Sequence, residues 1–140
     1  QVLIWRRSYE IPPPALELND ERHPRFDNKY ESLKSSLIPS SESLKDTFNR
    51  FIPLWNKTIS QKIKSNKKVL IVAHGNSLRA LVKNIENISD EEIVNLNIPT
   101  GVPLVYNLDR QLNAINSKYL GDQKSIKQKT LEVANQFKSN

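Results

Sequence analysis

The sequence predicts an α/β layered domain, and three observations carry that prediction. A continuous apolar run, Val69-Leu70-Ile71-Val72, leads straight into His74-Gly75-Asn76 and then into Ser77 to Lys83, which resumes at helical period. Upstream, Leu44, Phe48, Phe51, Ile52, Trp55, Ile59 and Ile63 recur mostly at spacings of three and four, one apolar stripe of an amphipathic helix. Downstream, Leu104 to Leu108 and Ala114 to Leu120 flank a turn around Asp109-Arg110, the pattern of two strands.

Taken in order, residues 1–9 combine apolar and cationic side chains suited to a short helix end, and Pro12-Pro13-Pro14 then forces an extended path. From there to about Ser41 the chain is polar and irregular; a stretch of that length without regular structure is usually functional or covers something. Ser40 or Ser41 stands where the cap of the long helix is expected, and Pro53 lies inside that helix, where it should kink it or lower its local stability. Lys62, Lys64, Lys67 and Lys68 complement the dipole at its end. Lys68 to Ala73 reads as a strand buried on both faces, the kind found in parallel or mixed sheets under helices. Ser89 and Glu92 make a capping box for a short helix. Asn97 to Val102, with Pro99 and Gly101, is a loop. The segment from Asp122 repeats weakly at helical period (Ile126, Val133, Phe137), and residues 122–140 are expected to be a mobile tail.

Composition bounds the class. With 140 residues, 37% hydrophobic and 26% charged, the chain suffices for one compact domain. No apolar run approaches the roughly 20 residues that span a bilayer, no signal peptide is evident, and the absence of cysteine excludes disulfides and thiolate metal sites. A cytoplasmic protein without membrane attachment is the expectation. The chain lacks Met and opens on Val2-Leu3-Ile4-Trp5, so further residues are expected upstream.

The net charge of +6 and pI near 9.6 suit nucleic acid, a membrane surface or small phosphorylated molecules. The lysines are scattered, with no zinc-finger spacing and no RNP-like aromatic motif. A solvated basic face is the plainer account. A nucleic-acid-binding module is supported by the pI alone.

His74 admits two readings: a hydrogen-bonded packing histidine, or an anion ligand. In the second, Gly75 permits positive φ or close approach, while Asn76 and the donors opening the next helix complete an anion site. Ligands in α/β sheets bind beyond the carboxyl ends of strands, where His74 is expected. Arg6 and Arg7 are either exposed charges or a pair of guanidinium forks for phosphate or carboxylate. A metal site is not expected, since only His23 could join His74.

Several segments together carry a resemblance. They are Trp5-Arg6-Arg7-Ser8, Pro12-Pro13-Pro14, Asp20-Glu21-Arg22-His23-Pro24, Glu42-Ser43-Leu44, Ala73-His74-Gly75-Asn76-Ser77-Leu78-Arg79-Ala80-Leu81-Val82-Lys83 and Asn97-Ile98-Pro99-Thr100-Gly101-Val102-Pro103-Leu104-Val105-Tyr106. In this order they resemble the 2,3-bisphosphoglycerate-dependent phosphoglycerate mutases of the histidine phosphatase superfamily. The resemblance implies a mixed, mostly parallel sheet flanked by helices, of which residues 1–140 form the C-terminal portion of a single domain lacking its N-terminal elements. It implies interconversion of 3-phosphoglycerate and 2-phosphoglycerate through a phosphohistidine primed by 2,3-bisphosphoglycerate, without metal or nucleic acid, in a homodimer or homotetramer. His74 matches the histidine that stabilises the transferring phosphoryl group. Arg6 and Arg7 match the arginines that bind substrate or bisphosphoglycerate, and Gly75 and Asn76 match ligand contacts, Asn76 also to bisphosphoglycerate. The family's nucleophilic histidine and proton-donor glutamate lie before the equivalent of Gln1, so the chain alone is expected to be inactive. A bisphosphoglycerate mutase or a phosphatase of the same superfamily is the alternative.

Overall fold

The computed structural model describes residues 1–136. Its elements are helices α1 (Val2–Arg7), α2 (Leu44–Leu54), α3 (Ser60–Lys64), α4 (Gly75–Glu86) and α5 (Gln123–Asn135), with strands β1 (Leu104–Leu108) and β2 (Ala114–Tyr119). Short 3-10 turns punctuate the irregular segment between Pro12 and Ser41 and the stretch Glu92–Asn95.

The long central helix forms as its stripe requires, with two refinements. Its cap is Ser43 rather than Ser40 or Ser41: the Asp46 N–H donates to Ser43 Oγ at 3.1 Å, and the Ser43 N–H and hydroxyl both donate to Asp46 Oδ2, at 2.9 and 2.6 Å. Pro53 does not end the helix. It removes one backbone donor from the ladder, and the chain continues through a π turn at Trp55–Ile59 into α3, a helical irregularity of the kind such interruptions produce.

The capping pair also sets an acid limit. Hydrogen bonds from Ser43 hold the Asp46 carboxyl below its ordinary range, so folding favours its ionised form. That contribution is complete above the unfolded carboxylate value of about 4 and is lost as pH falls through the lower folded value. Melting temperature should therefore hold steady from pH 7 to 5 and fall below about pH 4. Ser43→Ala should cost about 1 kcal/mol at neutral pH and shrink the acid limb; an acid limb identical to wild type in that variant would contradict this account.

α2 packs on α4, and two apolar clusters fill the space around them. Tyr9, Leu44, Ala80 and Ile93 form one, with Phe48, Ile88 and Leu96 at its margin. Trp55, Leu81 and Ile85 form the other, covered by Ile63, Ile71, Tyr106 and Leu108 among others. α4 thus buries side chains in both clusters and is the spine of the fold. It ends at Asn87, whose left-handed backbone (φ 52°) supplies the C-cap. The capping box at Ser89 is present: its N–H donates to Glu92 and its hydroxyl accepts from the Glu92 N–H.

The hairpin forms where expected. β1 and β2 are antiparallel, Leu104 opposite Tyr119 and Leu108 opposite Ala114, with an irregularity between Asn107 and Leu108. The turn is held by Asp109, which accepts from the Asn113 backbone and side-chain amides at 2.8 and 3.0 Å.

The expected buried strand at 68–73 is a correction. Residues 67–74 lie in no helix or strand, and Leu70 and Val72 are 86% and 88% exposed. β-branched side chains favour extended backbone but a strand also needs a ladder partner, and among the described residues β1 and β2 pair only with each other. Helices and an antiparallel hairpin are therefore seen; a mostly parallel sheet is not. Only Ile71 of this run packs inward, on the Trp55 cluster. In the expected tail, residues 123–135 form α5, capped by Asp122; Phe137 lies outside the described residues.

Candidate functional site

Three stretches of the chain supply most of the walls of a groove of about 1080 Å³, which Pro13, Glu42, Val133 and Gln136 also line. One wall is the end of α1 with Trp5, Arg6 and Arg7; the floor is 70–73 with His74, Gly75, Asn76 and Arg79; the far wall is the loop 98–103. The five residues singled out in the sequence, Arg6, Arg7, His74, Gly75 and Asn76, all line it, although some 70 positions separate the two groups.

His74 stands where the extended run turns into α4 and is the helix N-cap. Its Nδ1 accepts from the Asn76 N–H at 3.3 Å. In the neutral ring that bond puts the proton on Nε2, leaving the exposed imidazole with an N–H to donate. Gly75 is the first residue of α4 and its φ is not positive, which leaves close approach, the other reading of this glycine. A Cβ there would meet nothing within 4 Å among the described residues, so none of them requires a glycine. In the loop opposite, Gly101 does adopt positive φ (70°), the turn conformation that glycine admits without strain.

The arginine pair sits in the last turn of α1. Arg6 Nη2 donates to Gln136 Oε1 at 2.8 Å and Arg7 Nη2 donates to the Val133 carbonyl at 2.9 Å. Both thus reach the C-terminal end of α5, where carbonyls lack helical partners and the dipole is negative. Burial, and then the charge of Arg6, draw the Arg7 guanidinium below its usual value.

Beneath them lies Arg79, only 6% exposed. Its Nη1 donates to the Arg6 carbonyl and to Asn76 Oδ1, both at 3.3 Å, and its Nη2 donates to the Arg7 carbonyl at 3.4 Å and the Ile93 carbonyl at 2.8 Å. Burial, then Arg7 and Arg6, pull its pKa down to about 10. With Asn76 Oδ1 so engaged, the amide NH2 of Asn76 is the end left for other partners. Among the described residues the one carboxylate lining the groove, Glu42, is held by Arg50 through two bonds of 2.7 and 2.9 Å. The groove is therefore cationic, rich in donors and apolar along 70–73.

Arg79 was not assigned a role from the sequence. The signal available was its place on the apolar face of α4, beside Ala80, Leu81 and Val82 and three residues after Asn76. The other histidine, His23, is a packing residue: it is 2% exposed, its Nδ1 accepts from the Arg25 N–H, and its Nε2 pairs with Ser40 Oγ at 2.9 Å. Among the described residues no three His, Cys, Asp or Glu side chains gather as metal ligands, and no helix is long and apolar enough to cross a membrane.

A histidine at a helix start, facing arginines across an anion-attracting groove, is an arrangement for holding phosphoryl groups. The family model of the histidine phosphatase superfamily (branch 1) matches residues 14–118. The chain belongs to that superfamily, whose members are phosphatases and phosphomutases. The match takes in His74, Gly75, Asn76 and Arg79, while Arg6 and Arg7 precede it.

Proposed function

We propose that the groove is the substrate half-site of a 2,3-bisphosphoglycerate-dependent phosphoglycerate mutase, acting on 3-phosphoglycerate and 2-phosphoglycerate. The observation that carries this is the convergence of Arg6, Arg7, His74 and Asn76 on one groove whose single lining carboxylate among the described residues is already paired. A phosphorylated hydroxy acid presents two anionic ends, and planar guanidinium forks suit either of them. Phosphoryl transfer depends chiefly on positioning and charge neutralisation. Arg6 and Arg7 hold one end, and the His74 Nε2–H, the Asn76 amide and the α4 N–H groups hold the other.

The donor set also fits 2,3-bisphosphoglycerate, which carries one more phosphate to match the surplus of cations. Arg6, Arg7 and Asn76 would hold it; when bound, it supplies the priming phosphoryl group. The enzyme would be a cytoplasmic homo-oligomer. Nothing about the scattered lysines favours nucleic acid over this concentrated site.

Calorimetry with 3-phosphoglycerate should show saturable one-to-one binding that weakens with added salt. The 140 residues alone should convert none of it, because His23 is buried with both nitrogens engaged and His74 serves as a donor. Absence of binding would sink the proposal; turnover accompanied by phosphate on His74 would overturn the role given to that residue.

A further inference from the structure

We infer that Arg79 is the positioning residue of this site: a buried guanidinium, without a carboxylate partner among the described residues, that sets the arginine pair and Asn76 in register for an anionic ligand. The inference rests on the functional reading above and adds to it the device that assembles the site.

α4 buries two cations on one face, a turn apart, and the fold treats them differently. Lys83 has a carboxylate: its Nζ lies 2.7 Å from Asp90 Oδ1, donates to the Ile88 carbonyl at 2.6 Å and stands 4.7 Å over the Tyr9 ring. Arg79 has no carboxylate among the described residues. Its partners are three backbone carbonyls and one amide oxygen, and its buried Nε–H has no hydrogen-bond partner. Burying a guanidinium without a counter-ion is costly, and so is an unmade hydrogen bond of this kind. The charges of Arg7 and Arg6, both of the same sign, act on it unfavourably. An anion between the groove walls would supply the missing counter-charge and offset the like-charge repulsion.

The connections give the cost a use. α1 has six residues, too few to hold a helix by itself. Arg79 donates to the carbonyls of its last two residues, Arg6 and Arg7, both of which line the ligand groove. The same guanidinium engages Asn76 Oδ1, turning the donor end of that amide outward, and anchors to Ile93, which is fully buried. One planar group thus joins both walls. A lysine would keep the charge but not the fork that reaches four acceptors.

The test compares Arg79→Lys, the wild-type chain and Ile85→Val, a core variant away from the groove, by 3-phosphoglycerate calorimetry and thermal melts. Arg79→Lys should bind at least 10-fold more weakly than wild type, while Ile85→Val keeps wild-type affinity whatever melting temperature it loses. In the wild-type chain, titration should also shift the Arg79 Nε–H resonance and slow its solvent exchange, a readout that needs no variant. Wild-type affinity in Arg79→Lys, or an Arg79 Nε–H signal that ignores a ligand to which Arg6 and Arg7 respond, would overturn this inference alone. Failure of the wild-type chain to bind would overturn the functional reading and this inference with it.

Discussion

The double variant Arg6→Ala/Arg7→Ala is expected to lose 3-phosphoglycerate affinity by more than about 100-fold. Each arginine offers charge-assisted hydrogen bonds worth about 1.5–3 kcal/mol, and about 1.4 kcal/mol is a factor of ten. The loss in stability should be smaller. The two side chains do tie α1 to the end of α5 through Gln136 and the Val133 carbonyl, but removing them also relieves repulsion with Arg79. Arg6→Lys/Arg7→Lys keeps the charge without the planar fork and should fall between wild type and the alanine variant. Calorimetry at fixed ionic strength reads the series. Equal affinity across it would remove the arginine pair from the site.

Trp55→Ala carries the largest expected effect on the fold, about 3–5 kcal/mol. The indole is 4% exposed and packs with Leu81 and Ile85, joining the π turn after Pro53 to α4. Domains of ordinary stability hold only about 5–15 kcal/mol in total. A drop in melting temperature of about 10–20 °C, or loss of a cooperative transition, is the expected result. Leu54, the preceding residue, is 51% exposed, and Leu54→Ala should leave the transition nearly unmoved. A Trp55→Ala melt within a few degrees of wild type would show that the second cluster does not hold the helices together.

The local elements were legible because local rules govern them. Apolar period placed the central helix, Ser89 and Glu92 marked their capping box, and Asp109 marked the hairpin turn. The cap at Ser43 was misplaced by two or three residues because serines stand at 40, 41 and 43 and only Ser43 finds its reciprocal partner in Asp46. The run at 69–72 was read as a buried strand because apolar β-branched composition reports a preference, whereas pairing depends on another segment of chain. The candidate site was half legible. His74, Gly75 and Asn76 adjoin in sequence and sit at a strand-to-helix signature, and Arg6-Arg7 is conspicuous as a doublet. What joins them, the Arg79 guanidinium, depends on a contact across 72 and 73 positions that no spacing rule encodes. Its trace in the sequence is a charged residue on an apolar helix face.

The central claim is that the concentrated cations of the groove, and not the scattered lysines, take up a phosphorylated hydroxy acid. Backbone amide and arginine Nε–H NMR signals of the 140-residue chain, followed through a titration with 3-phosphoglycerate, test it most directly. The account predicts saturable shifts confined to Arg6, Arg7, Gly75, Asn76, Ser77, Arg79 and the 98–103 loop, with Lys62, Lys64, Lys67 and Lys68 unmoved. Shifts spread over those lysines while the groove residues stay still would contradict it.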